Sequence, residues 1–205
     1  GPTMRLLFIT ANRLGDAVMT TGLLAARARA FPDLRATVVC GPLPAPIFAE
    51  APGVARVHAL EKKPFSRHWV EAVGRFGWRR WDEVIDLRDS ALGRLTPFAR
   101  RRLILGKGPQ NEHRVAYLAR AAGLPFPVGP QIATAAPQEA TADMLMPKDR
   151  PILALAPAAN WIGKQWRPGF FAELARRILG PRGPLAGGAL AVFGAPGDEA
   201  ACAPA

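Results

Sequence analysis

Residues 6–28 read LLFITANRLGDAVMTTGLLAARA. Four apolar residues, Leu6 to Ile9, lead into a tight loop and then an apolar helical pattern, the layout in which many α/β proteins present a phosphate site. The loop holds a single glycine, Gly15, followed directly by Asp16. A carboxylate repels phosphate. The stretch therefore predicts the first strand and helix of an open α/β sheet, with a loop that does something other than cradle an anion.

The alternation continues outward from this start. Apolar strands are expected at 36–40 (ATVVC), 54–60 (VARVHAL), 83–87 (EVIDL) and 101–105 (RRLIL). Helices are expected over about 16–31, at IFAEA, near 69–78, in SALGRLTPFA, and over 110–122, where Gly123 ends the last. This is the βαβα rhythm of a parallel sheet of about five strands. Between 124 and 137 the text LPFPVGPQIATAAP is rich in Pro and Gly, with no helical period, and reads as an interdomain linker.

Beyond it a helix at 138–146, a strand at 152–156, a helix at 168–179 and a strand at 189–193 begin a second βαβ unit. The expected division is 4–130, an N-terminal Rossmann-like domain that binds the acceptor in the reading below, and 131–205, the start of a C-terminal domain for a nucleotide sugar. Two strands are few for an independent domain, so the second unit reads as part of something longer. The leading GPT reads as a tag remnant, with the natural chain starting at Met4.

Of the 205 residues, 49% are hydrophobic and 21% charged, enough apolar surface for a core and far from a disordered composition. No apolar run reaches the length of a membrane-spanning helix. Cys40 and Cys202, without partners at metal spacing, read as inert thiols of a reducing compartment, the cytoplasm. Charge is uneven. Residues 1–130 carry 20 Lys and Arg against 10 Asp and Glu, whereas residues 131–205 carry 7 against 6. A field of that sign attracts nucleic acid, an anionic membrane surface or a phosphorylated substrate.

Common nucleotide signatures are missing. There is no GxxxxGK[ST], no GxGxxG follows the first strand, and LILGKG at 103–108 only imitates a phosphate loop. Two separated loops, each directly after a strand, carry a different pattern. One is NRLGDAVMTTGLL, with Leu14, Gly15, Asp16 and Thr20 or Thr21; the other is APAANWIGKQWRPGFFAELARRI, with Lys164, Trp166 and Pro168. Together with VFGAPGDEA at 192–200 they resemble the ADP-heptose lipopolysaccharide heptosyltransferases, glycosyltransferase family 9. The resemblance spans essentially 4–200.

It implies an α/β, GT-B architecture, with an N-terminal Rossmann-like parallel sheet and an incomplete second Rossmann-like unit facing it across a cleft. It further implies an inverting, metal-independent transfer of heptose from ADP-heptose to a lipopolysaccharide inner-core acceptor, with no cofactor besides the nucleotide sugar. The family's Asp-x-Gly and His segment would follow Ala205.

On the residues alone Asp16 is first of all a favoured helix cap; the resemblance assigns it as the general base that takes the acceptor hydroxyl's proton. Lys164 and the first turn of the helix at Pro168 suit the leaving diphosphate, with Asn160 as a further donor where many family members carry a hydroxyl or glycine. Asp198 and Glu199 suit ribose hydroxyls, Glu199 the more so, and suit a helix start equally well. Thr20 and Thr21 read as helix interior. Lys62, Lys63, Arg67, Arg94 and Arg114, together with His68, Arg88 and His113, form the basic loops expected to hold an anionic glycolipid acceptor. The same loops, with Trp69, Trp78 and Trp81, suit peripheral contact with the inner face of the cytoplasmic membrane. A relative using another nucleotide sugar or acceptor is the nearest alternative. A non-catalytic basic module binding anionic glycan or nucleic acid is the other, although nucleic acid is not the expected partner.

Overall fold

The computed structural model describes residues 2–205, which form two compact units, 2–134 and 135–205. The first is a five-stranded, wholly parallel sheet of β1 (Met4–Ile9), β2 (Leu34–Cys40), β3 (Val54–Ala59), β4 (Trp81–Asp86) and β5 (Ala99–Ile104), in the order β3-β2-β1-β4-β5. Leu6, Leu7, Phe8 and Ile9 are fully buried, so β1 has no solvent face and lies at the centre. The edge strands include charged or polar side chains: β3 carries Arg56 and His58, and β5 contains Arg100, Arg101 and Arg102. Charged edges discourage pairing with another sheet.

Helices cover both faces. The predicted helix over 16–31 is two helices, α1 (Leu14–Val18) and α2 (Thr21–Ala30), broken at Met19 and Thr20. The Thr20 hydroxyl donates to the Ala17 carbonyl, closing one helix while Thr20 opens the next. α2, α3 (Ala45–Phe48) and α6 (Arg114–Ala121) pack Leu23, Leu24, Phe48 and Leu118 against Leu6, Phe8, Val38 and Ile85. On the other face α4 (Arg67–Ala72), a wider π-type turn at Val73–Gly77 and α5 (Ala91–Arg94) pack Ala72, Phe76 and Leu92 against Leu7, Ile9, Val39 and Val84.

Two polar contacts fix the inside of this unit. Arg27 of α2 donates through Nε and Nη2 to the two carboxylate oxygens of Glu83, both at 3.0 Å, tying helix to sheet. Asp86, fully buried at the end of β4, accepts from the backbone N–H groups of Arg88 and Ser90 and from the Ser90 hydroxyl. Burial nevertheless pushes its carboxyl up from the ordinary value, the hydrogen bonds working the other way.

The stretch expected to be a linker is not free chain. Gly123, at φ 70°, ends α6, and the Leu124 amide donates back to Ala119. The backbone then runs along α2, where the Gln131 N–H donates to the Thr21 hydroxyl at 2.9 Å and Arg29 donates to the Gln131 side chain. The second unit holds α7 (Ala136–Leu145), β6 (Ile152–Leu155), α8 (Pro168–Leu179), β7 (Ala189–Val192) and α9 (Glu199–Cys202), with β6 and β7 parallel across the α8 crossover.

Gly22 allows the close approach of 128–131 to α2, since a Cβ there would overlap the carbonyl oxygens of Val128 and Gly129. Gly22→Ala should lower stability by about 1–3 kcal/mol through overpacking, despite alanine's better helix propensity. Chemical denaturation followed by circular dichroism checks this, and an unchanged or raised midpoint would mean that the segment yields without cost.

Candidate active site

Parallel strands place all their carboxyl ends on one edge, and the order β3-β2-β1-β4-β5 reverses direction between β1 and β4. Loops there diverge to opposite faces and leave a crevice, the usual ligand site of open α/β sheets. A cavity of about 350 Å³ occupies this position, lined by Thr10 and Ala11 after β1, Leu87 after β4, Asp16 and Thr20 from the α1–α2 region, and Lys107 and Arg114 beyond β5.

Local hydrogen bonds set its walls. The Thr10 and Thr20 hydroxyls lie 2.8 Å apart, both buried, and join the strand end to the helix break. Thr20 is therefore part of the cavity wall and the start of α2, not the helix interior expected for it. Asp16 is the third residue of α1, whose N-cap is Arg13. It is exposed, and its carboxylate makes no hydrogen bond or ion pair among the described residues. It does not cap the helix.

Facing it, Arg114 opens α6 and donates to the carbonyls of Gly106 and Lys107 at 2.8 and 3.0 Å, with its guanidinium 5.5 Å from the Tyr117 ring centre. Burial draws its pKa down from the ordinary value, while Tyr117 and Asp16 act in the opposite sense. The Gly106–Gly108 loop presents Lys107, and Gly108 sits at φ 76°, where a side chain would run into the Tyr117 ring. The cavity thus offers one free carboxylate and two cations. It can accept a proton from a hydroxyl while holding an anionic group of the same molecule.

Of the five acceptor residues expected from the sequence, Arg114 alone lines this cavity. Lys63 is paired with Glu71 and Arg94 with Asp89, both on the surface, and Lys62 and Arg67 are exposed elsewhere. The two basic-loop histidines serve the backbone instead: the Nδ1 atoms of His68 and His113 accept from the N–H groups of Lys63 and Val115. Arg88 donates to the Asn12 side chain at 3.0 Å and lies over the Trp69 ring. Trp69 packs against the core and Trp81 is 3% exposed, so of the three tryptophans named for a membrane only Trp78, at 68%, has a free face. Thr10 and Lys107 were not foreseen. The local signal for Lys107 is the GKG at 106–108 directly after a strand, which does not have the spacing of a phosphate loop.

In the second unit, Lys164 closes a short 3₁₀ turn, Ile162–Lys164, and is exposed, as is Asn160. Trp166 packs at a tilt against Phe170 and edge-on against Phe171, each ring 5.2 Å away, so the loop is anchored to the first turn of α8. Pro168 occupies that turn, and Arg167 caps it without a side-chain hydrogen bond, leaving its N–H groups without side-chain partners. Asp198 and Glu199 line a concavity after β7 with Gly194, Ala195 and Cys202. Each carboxylate also holds its own loop, Asp198 accepting from the Ala195 N–H and Glu199 from the Gly197 N–H. Backbone N–H groups, its own and that of Gly197, keep the Glu199 carboxyl below its ordinary value.

Among the described residues no group of three or more His, Cys, Asp and Glu side chains is placed to hold a metal, and no helix is long and apolar enough to cross a membrane. No family model and no curated protein matches the sequence. Solved structures do match in fold. ADP-heptose lipopolysaccharide heptosyltransferase II from E. coli is similar at TM-score 0.69 and 20% identity, over 97% of this chain and 66% of that one. A glycosyl transferase family 9 protein from Veillonella parvula is similar at TM-score 0.73 and 18% identity, over 95% of this chain and 63% of that one. E. coli heptosyltransferase WaaC, solved with ADP-2-deoxy-2-fluoro heptose, is similar at TM-score 0.65 and 19% identity, over 96% of this chain and 71% of that one. The chain spans about two thirds of the length of these proteins, and its fold is that of the GT-B glycosyltransferases of the heptosyltransferase type.

Proposed function

We propose that the chain is the acceptor-binding domain and part of the donor-binding domain of an inverting, metal-independent glycosyltransferase that moves heptose from ADP-heptose to a lipopolysaccharide inner-core acceptor. Asp16 is the general base. It takes the proton of the acceptor hydroxyl as that oxygen bonds to the anomeric carbon and the bond from that carbon to the ADP oxygen breaks. The observation that carries this reading is the lone, unpaired Asp16 carboxylate opposite Lys107 and Arg114 at the strand-order reversal. The two cations hold an acidic group of the acceptor. Within the second unit, Lys164, Asn160 and the amino-terminal turn of α8 hold the leaving diphosphate, and Glu199 holds ribose hydroxyls. The nucleotide sugar is a substrate, so no resident cofactor enters the reaction. A glycolipid acceptor places the enzyme at the inner face of the cytoplasmic membrane.

Asp16→Asn, which keeps size and removes basicity, should cut turnover in the natural gene product by a factor of about 10²–10⁴ with ADP affinity unchanged. ADP release from ADP-heptose with an inner-core acceptor measures it, and near-parental turnover removes Asp16 from the mechanism. Replacing ADP-heptose by other nucleotide sugars in the same assay fixes the donor.

Lys164→Ala should weaken ADP binding by about tenfold or more, the loss of one charge-assisted contact, and calorimetry that finds equal affinities ends that assignment. Arg114→Gln should raise the acceptor KM by a similar factor while leaving ADP affinity alone. An effect on ADP instead would mean that the first-unit cavity takes the nucleotide.

A further inference from the structure

The opposite edge of the same sheet carries a second charged cavity. It has a volume of about 420 Å³ and is lined by Arg5, Arg35, Thr37, Arg56, Arg79 and Trp81. These residues come from the amino-terminal parts of β1, β2 and β3 and from the approach to β4, so the cavity lies away from the carboxyl-end loops that bear Asp16. Neither Asp16 nor Lys164 takes part in it.

Two of the arginines rest on a prepared platform. The Trp81 indole N–H donates to the Phe76 carbonyl at 2.9 Å, which holds the indole, and the Phe76 ring is fully buried. The Arg5 guanidinium lies 5.8 Å from the Trp81 ring centre, and that of Arg79 lies 5.6 Å from the Phe76 ring. Stacking on rings orients a guanidinium and leaves its N–H edge free to bind.

Arg35 is the direct register partner of Arg5, and Arg56 that of Thr37, one strand further along. Neighbouring strands are about 4.8 Å apart, and like charges directly opposite one another are destabilising. Among the described residues of the first unit no carboxylate lies within 4 Å of any of the four guanidinium groups. The nearby Asp82 is engaged elsewhere, accepting from the Arg5 backbone N–H and pairing with Arg100 at 3.8 Å.

Unpaired arginines converging on one concave site, two of them on fixed rings, are the recognition geometry for a multiply charged anion. We infer that this cavity binds a phosphate group carrying two or more negative charges, either on a small soluble molecule or on a lipid headgroup. Four guanidiniums offer more N–H donors than a single carboxylate uses, whereas phosphate oxygens accept from several at once.

The test titrates inorganic pyrophosphate into the chain by calorimetry, in a Lys164→Ala background that removes the proposed nucleotide contact. Vesicles of phosphatidylcholine with phosphatidic acid form a parallel arm read by co-sedimentation. Arg35→Thr with Arg56→Thr is compared with Arg101→Thr plus Arg182→Ser, which removes the same charge elsewhere. Saturable pyrophosphate binding that falls tenfold or more in the first variant, and stays within twofold in the second, supports a soluble phosphate ligand. Binding to vesicles alone, lost in the same variant, supports a headgroup.

Equal weakening in both variants would reduce the effect to net charge and overturn the site, as would no binding in either arm. The ligand-free melting midpoint separates a binding role from a structural one. It should hold or rise in Arg35→Thr/Arg56→Thr as like-charge repulsion is relieved, and a clear fall there would also overturn the inference.

Discussion

A strand with no exposed face must have neighbours on both sides and layers above and below. Leu6, Leu7, Phe8 and Ile9 form such a strand, and the remainder of the first unit follows from their burial. β2 and β4 flank β1 in parallel register, so the chain must cross over after each strand, which puts helices on both faces. Because β2 and β3 are added to one side of β1, and β4 and β5 to the other, the sheet reverses its winding beside β1. The crevice opens where that reversal occurs. Asp16 owes its position to this topology.

Polar groups then decide how rigid the crevice is. Asp86 holds the turn after β4 through three hydrogen bonds, and Leu87, the next residue, lines the cavity. Thr10 and Thr20 fasten the helix break to the strand end, and Arg27 with Glu83 locks α2 against β4. These contacts lie behind the site and fix its walls without entering it. Its open charges belong to Asp16, Lys107 and Arg114, each at a loop or a helix's first residues, where a ligand can reach it.

The alternation of strands and helices was legible in residue pattern, because buried parallel strands are near-continuous apolar runs bounded by turn residues. Breaks within helices were not. The interruption at Met19 and Thr20 depends on the Thr20 hydroxyl reaching back to Ala17 and on Thr10 arriving from a separate strand, neither of which periodicity records. The segment 124–137 read as a linker on composition, yet Gly22 lets part of it lie on α2, a close approach visible only in three dimensions. Charge partners are equally invisible to periodicity: Lys63 pairs with Glu71, eight residues on, and Arg94 with Asp89, five residues back. Lys107, which has no acid partner among the described residues, lies in the GKG at 106–108, whose spacing is not that of a phosphate loop.

The acid at the first loop becomes intelligible through the separation of anion sites. A phosphate loop needs backbone N–H groups and no carboxylate, and Asp16 makes the β1 loop unsuited to that role. Cations are correspondingly displaced: Lys107 and Arg114 stand across the cavity, and Lys164 stands before α8 in the other unit. The Asp16 carboxylate has no hydrogen-bond or ion-pair partner among the described residues, so it is open to a ligand. Lys107 and Arg114 line the same cavity, and in the proposed transfer they would hold an anionic group of the acceptor beside that carboxylate, an arrangement that a phosphate cradle at the same loop would prevent.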